Sequence, residues 1–167
     1  MSIIYIFGPS CSGKSTLSHE LTKRLGHQWT YLDRDELIEK GECLESAADE
    51  TLEEKIKTIG NRIIVDAQIP WRSKKEHEFY CLLLPPLETL LERDAKRTVH
   101  LARSASRASQ AKKYVVSTYQ ILSQLNSEKF DLRFDSSKIP AEEIALRIIS
   151  GKSLVGGGQS ATRESPL

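Results

Sequence analysis

The sequence predicts an α/β fold of one domain, a parallel sheet covered by helices, and three observations predict it. Short β-branched or aromatic runs alternate with longer amphipathic stretches, no internal repeat interrupts them, and a glycine-rich loop, GPSCSGKST from Gly8 to Thr16, joins the first run to the first stretch. A chain of 167 residues, 39% hydrophobic and 28% charged, is long enough to bury one core and needs no second domain.

The elements follow in chain order. IIYIF, Ile3 to Phe7, carries no charge and reads as the first strand. Past the loop, Lys14 to Leu25 reads as a helix, because Leu17, Leu21 and Leu25 fall on one face. WTYL, Trp29 to Leu32, is the second strand. A helix over Thr51 to Ile59 is marked by Leu52, Ile56 and Ile59. RIIVD, Arg62 to Asp66, and EFYCLLL, Glu78 to Leu84, are the third and fourth strands, and FDLRF, Phe130 to Phe134, is the fifth. Helices over Pro86 to Val99 and Pro140 to Ile149 begin with prolines, which the first turn tolerates because its N–H groups have no intrahelical partner. From Gly151 on, GKSLVGGGQSATRESPL lacks periodicity and is rich in Gly and Ser. That predicts a mobile tail over 151–167 behind a domain of 1–150. Its GKS, Gly151 to Ser153, has no strand leading in and is a decoy.

Composition excludes several classes. A formal net charge of +1 gives the whole molecule no field to draw it to nucleic acid or an anionic membrane. No apolar stretch approaches a bilayer span, and Met1 is followed by a strand-like run instead of a charged leader. A soluble, cytoplasmic protein with no membrane partner is expected. Cys11, Cys43 and Cys81 lie too far apart for a CxxC metal site and are odd in number, which fits a reducing compartment. His77 and His100 show no ligand spacing.

Gly8, Gly13, Lys14 and Ser15 satisfy the phosphate-loop pattern GxxxxGK[ST], with a strand before it and a helix after. The glycines let backbone N–H groups turn inward around a β-phosphate, and the helix start adds its partial positive charge. The loop residues Gly8, Pro9, Ser10, Cys11, Ser12, Gly13, Lys14, Ser15 and Thr16 are therefore the expected nucleotide cradle. Lys14 would bridge the β- and γ-phosphates and Ser15 would ligate Mg²⁺. Cys11 is read as a small filler within the loop. No NKxD or DxxG motif occurs, which excludes a regulatory GTPase, and the chain is short for a motor ATPase. A small ATP-dependent kinase remains.

Tyr31 to Gly41 reads YLDRDELIEKG, and its Asp33 and Asp35 leave the C-terminal end of a strand, where ligands of open α/β sheets collect. A carboxylate there can orient and deprotonate an acceptor hydroxyl, and Asp35 is the candidate base. It can also cap the helix that follows. Asp33 either assists Mg²⁺ through water or closes the strand. Asp66 ends an apolar strand where a Mg²⁺-holding carboxylate belongs, so Ser15, Asp35 and Asp66 form the candidate metal set. Gln68, Trp71 and Arg72 follow as candidates for the acceptor side, Trp71 more as packing than as a stacking surface.

GPSCSGKST, LDRDELI one strand later, and IIVD resemble the small P-loop kinases that phosphorylate a hydroxyl: chloramphenicol phosphotransferase, zeta toxin, adenylylsulfate kinase and polynucleotide 5′-hydroxyl kinase domains. The order IIVDAQI, LLLPPLETLLERDAKR, KKYVVSTYQIL and FDLRFDSS is most similar to chloramphenicol phosphotransferase-like proteins and covers roughly residues 2 to 149. The resemblance implies that the residue at Asp35 is the base, and it places a lid after the fourth strand. The segment Arg93 to Lys113 carries seven Lys or Arg against one Asp. Its Ser-Ala stretch reads as a mobile connection, as a lid requires, and its guanidinium groups can neutralise charge on a transferring phosphoryl group. A solvated helix face and a grip on a nucleic-acid backbone are the competing readings. Within it, Arg93 and Arg97 are the candidates to reach ATP, and Arg103 and Arg107 to act on the γ-phosphate or acceptor.

The expectation is thus a P-loop NTPase fold of the nucleoside-kinase-like type, a three-layer sandwich around a five-stranded parallel sheet of order 2-3-1-4-5. ATP and Mg²⁺ would serve a small-molecule hydroxyl acceptor, with Lys14, Asp35, Arg103 and Arg107 as the catalytic set. A polynucleotide or nucleoside 5′-hydroxyl kinase and a non-catalytic nucleotide-binding protein stay open as alternatives.

Overall fold

The computed structural model describes residues 3–155. Its sheet has five parallel strands, β1 (Ile3–Phe7), β2 (Thr30–Asp33), β3 (Ile63–Ala67), β4 (Glu78–Leu83) and β5 (Leu132–Phe134), in the order β2-β3-β1-β4-β5. This is the expected order. The helices are α1 (Lys14–Leu25), α2 (Arg34–Glu39), α3 (Ala48–Ile59), α4 (Leu87–His100), α5 (Ala105–Gln124) and α6 (Ala141–Val155), with single 3₁₀ turns at Glu45–Ala47 and Ser127–Lys129.

β1, β3 and β4 are apolar along nearly their whole length because both sheet faces are covered. Side chains alternate across the pleat. Tyr5, Phe7, Val65 and Tyr80 meet Leu37 of α2, Leu52 and Ile56 of α3 and Leu122 of α5 on one face. Ile4, Ile6, Ile64 and Cys81 meet Leu17 and Leu21 of α1 and Ile144 and Ile148 of α6 on the other. Two apolar layers clamp the sheet, so the carboxyl ends of β1, β2 and β3 are held in fixed register. Asp33 of β2 lies beside Asp66 of β3, and Ile6 of β1 beside Asp66 on its other flank.

Two expectations need correction. The Ser-Ala stretch after Arg103 is helical and not an irregular connection: Ser104 caps α5 by accepting from the Arg107 N–H at 3.4 Å, and the helix runs on through Lys113. Alanine is the strongest helix former, and Val115, Thr118 and Leu122 anchor the far half of α5 in the core. Irregular backbone is confined to Leu101–Ser104, between α4 and α5. The last helix also continues past Ile149 to Val155, through the GKS decoy. One glycine costs a helix about 1 kcal/mol, too little to end a helix already anchored by Ile144, Ala145 and Ile148. The rest of the expected tail, 156–167, lies outside the described residues.

Candidate active site

The phosphate loop leaves β1 and folds back into α1. A Cβ on Gly8 would stand 2.5 Å from the Leu83 carbonyl oxygen, so the backbone of β4 leaves room for glycine alone. Gly13, at φ 93°, makes the left-handed turn that starts α1. Cys11 takes a positive φ of 66° at the crest of the loop, where it is half-buried and faces the cleft.

Lys14 is 8% exposed. Its Nζ donates to the Pro9 carbonyl at 3.2 Å and lies 3.7 Å from Asp66 Oδ1, which holds the ammonium over the loop. Ser15 Oγ donates to Asp66 Oδ2 at 3.2 Å. Tyr31 OH donates to Asp33 Oδ2 at 3.0 Å and reaches Asp66 Oδ2 at 3.4 Å. Asp66 is buried, and its carboxyl is pushed up to about 6 by burial, against the pull of Lys14 and of the Ser15 hydroxyl, with Asp33 and Asp35 adding to the rise. Ser15 and Asp66 are hard oxygen donors brought into contact, the kind of pair that fits Mg²⁺ when phosphate oxygens and water complete the shell. Among the described residues, no group of three His, Cys, Asp or Glu side chains converges as a metal site. Asp35, the third residue of the expected set, makes its contacts with Gln68 and Arg34 instead.

Asp33, not Asp35, caps the helix. Its Oδ1 accepts the N–H groups of Asp35 at 2.8 Å and Glu36 at 3.3 Å. The Asp35 side chain is left about half exposed. Gln68 Nε2 donates to both of its oxygens, at 3.3 and 3.4 Å, and Arg34 Nη1 lies 3.9 Å away, while Arg34 Nε donates to Asp49 at 2.6 Å. Asp35 therefore stands at the mouth of the cleft with about half of its side chain open to solvent.

Two hollows meet at this point. The larger, about 750 Å³, runs along the phosphate loop between Asp33, Asp35 and Asp66 on one side and Arg93, Arg97 and Ser136 on the other. The smaller, about 470 Å³, is walled by Asp35, Gln68, Arg97, Arg103, Arg107 and Tyr114. Ser10, Asp35, Glu39 and Arg97 belong to both.

Of the four expected arginines, Arg93 holds the loop: it donates to the Cys11 carbonyl at 3.2 Å and to the Ser136 carbonyl at 3.2 Å. Arg97 reaches Ser10 Oγ at 3.4 Å, and Arg107 stands exposed on the wall of the smaller hollow. Arg103 also lines it, but donates at 3.0 Å to Asp94, a carboxylate only 4% exposed in α4, and so ties the α4–α5 corner.

Sequence reasoning missed Tyr31 and Ser136. Ser136 Oγ donates to the Ser12 carbonyl at 2.6 Å and fastens the β5–α6 loop to the phosphate loop. Tyr31 precedes Asp33 by two positions in a strand, and that spacing puts both on one face, which was a usable signal. Arg72 does not line either hollow. It is locked by Glu53, by Glu78 at 2.6 Å and by the Tyr5 hydroxyl at 2.7 Å. Trp71 packs edge-on against Tyr5 and Phe7, as packing and not as a platform.

No protein-family model matches the chain, and no curated protein sequence does. Solved structures do. Shikimate kinase from Acinetobacter baumannii, in complex with shikimate, superposes with a TM-score of 0.65 at 18% identity over 95% of this chain and 96% of that one. Deoxyadenosine kinase from M. mycoides with bound dATP gives 0.58 at 17% identity, over 91% and 99%. A chain of the Pnkp1/Rnl/Hen1 RNA repair complex gives 0.52 at 23% identity, over 78% of this chain and 46% of that one. The likeness is one of fold, the α/β P-loop fold.

Proposed function

We propose that the protein is an ATP-dependent kinase that transfers the γ-phosphoryl group to a hydroxyl of a small-molecule acceptor. One observation carries the reading: the Asp35 carboxylate, relieved of capping by Asp33 and about half exposed, stands where the phosphate-loop cleft opens into a second, smaller hollow. A general base must lie within hydrogen-bond reach of the hydroxyl and beside the γ-phosphate, and the place of Asp35 where the two hollows meet supports that role.

ATP would lie along the loop, with Lys14 leaving the Pro9 carbonyl for the β- and γ-phosphates. Ser15 and Asp66 would hold Mg²⁺, which supplies charge neutralisation on the phosphate oxygens. Asp35 takes the proton of the acceptor hydroxyl as its oxygen bonds to the γ-phosphorus. The bond from that phosphorus to the β–γ bridging oxygen breaks, and ADP leaves. Arg97 and Arg107 flank the transfer point, while Arg93 keeps the loop in shape and Arg103 keeps the corner.

The finer assignment, an acceptor of the chloramphenicol phosphotransferase kind, rests on the order of sequence motifs. A second reading, a 5′-hydroxyl polynucleotide kinase, is favoured by Arg97, Arg103 and Arg107 along one rim of the smaller hollow and by the likeness to the RNA repair chain. The cysteines are free among the described residues, in keeping with a reducing cytosol. No helix among the described residues is long and apolar enough to cross a membrane.

The test is incubation with γ-labelled ATP, Mg²⁺ and a fractionated extract of metabolites and short oligonucleotides. A labelled small molecule, absent with Lys14→Ala, is the expected product. A labelled 5′ end would replace it with the second reading, and tight ATP binding with no product would leave a nucleotide-binding protein.

A further inference from the structure

Gln68 follows directly on β3 and is 8% exposed, an unusual depth for an amide that lines a hollow. It joins both halves of the site. Its backbone carbonyl accepts the N–H of Gly8, the first residue of the phosphate loop, at 3.2 Å. Its side-chain NH₂ donates to both oxygens of Asp35. An ionised carboxylate has no proton to give, so the amide must present its nitrogen to Asp35 and its oxygen the other way. That oxygen, Oε1, is buried and has no hydrogen-bond partner. A buried acceptor without a donor is costly, and native interiors seldom keep one without a use for it.

We propose that Gln68 is both a positioning residue for Asp35 and a recognition residue for the acceptor, and that the acceptor carries a second hydroxyl or an amino group next to the hydroxyl that is phosphorylated. The inference rests on the reading of Asp35 as the base. Because Oε1 and Nε2 share one carbon and Gln68 and Asp35 line the same hollow, an acceptor seated against Asp35 can bring a neighbouring donor to Oε1. Vicinal diols and amino alcohols have that shape, and simple monohydric alcohols do not. The other walls suit such a polar acceptor: Gln110, Tyr114 and Arg107 lie on one face of α5 at helical spacing, with Ile38 and Ala111 as the apolar members.

The test uses the full chain, γ-labelled ATP and matched pairs of alcohols, each diol or amino alcohol set against its deoxy or deamino counterpart, together with the acceptor recovered from extract and its own deoxy counterpart. Wild-type protein is expected to favour the two-donor member of a pair by at least about tenfold in kcat/KM, the penalty for leaving the Oε1 acceptor unmet. Gln68→Leu is expected to bring that preference within about twofold and to lower kcat, with the KM for ATP unchanged. Gln68→Glu keeps an oxygen but loses the donor to Asp35, so it is expected to lower kcat while preserving the preference. A residue that merely filled space would not separate the two variants in this way. Nucleotide affinity serves as the check that each variant is folded.

Equal use of both members by wild type, or an undiminished preference in folded Gln68→Leu, overturns the inference while leaving Asp35 as the base. Undiminished transfer in Asp35→Asn, or no labelled product from any alcohol or extract fraction, overturns the base reading and this inference with it.

Discussion

Asp33 commits one carboxylate oxygen to the N–H groups of Asp35 and Glu36 and the other to the Tyr31 hydroxyl, and this leaves the Asp35 carboxylate out of the cap. Asp33→Ala should therefore cost about 1 kcal/mol of stability, the usual value of an N-cap, and should lower transfer indirectly by loosening the start of α2. Urea denaturation and turnover measured on the same preparation would check both. Gly8→Ala should weaken ATP binding at least about tenfold, because the new methyl group meets the backbone oxygen of Leu83, which cannot step aside as a side chain could; calorimetric titration with ATP reads this directly. At this scale the phosphate loop was legible because its backbone geometry demands glycine at fixed spacing. Which of Asp33 and Asp35 caps α2 was not. Both residues suit a cap, and only the position of the first helical turn decides which carboxylate meets the N–H groups. Tyr31 stayed hidden for a related reason: its partner Asp66 belongs to another strand, brought alongside by sheet pairing.

The helices and the corner between α4 and α5 carry their own lesson. Asp94 looks like a solvated charge within a basic stretch, yet it is buried and paired with Arg103, whose other contact is Thr98. Arg103→Ala should destabilise the protein by about 2 kcal/mol, since it leaves a buried carboxylate without its donor. Arg103→Ala with Asp94→Leu should recover part of that loss, and a double-mutant cycle in urea would measure the coupling. Transfer in the single variant should fall because Arg107 and Tyr114, on the same helix, lose their fixed distance from Asp35. The basic character of the segment was readable from sequence, but its helical form was not. Serine suits a loop or a cap as readily as a helix, and what orders Ala105–Lys113 is the cap at Ser104 and the buried anchor further along α5.

For the whole molecule, the strand order was legible because a phosphate loop after the first strand and apolar runs between amphipathic stretches leave few ways to stack helices on a parallel sheet. Closure of two apolar layers around β1, β3 and β4 is also what forces Asp66 into a dry place, and that has a consequence for stability. Burial raises Asp66 to about 6 in the folded chain from 3.8 for an unperturbed Asp. The folded state therefore holds its proton more tightly than the unfolded state. Stability from this group is full below about pH 4 and is lost as pH rises through about 6. Asp66→Asn cannot ionise, so its stability relative to wild type should improve between pH 4 and pH 7 in nucleotide-free protein, as followed by denaturation at each pH, although transfer is lost. In the proposed reaction phosphoryl transfer depends on Asp35 above all, and a single comparison tests that proposal most directly. Single-turnover transfer from γ-labelled ATP should fall between about a hundredfold and ten-thousandfold in Asp35→Asn, with ATP affinity within about twofold of wild type. Undiminished transfer by Asp35→Asn on the same acceptor would contradict the account.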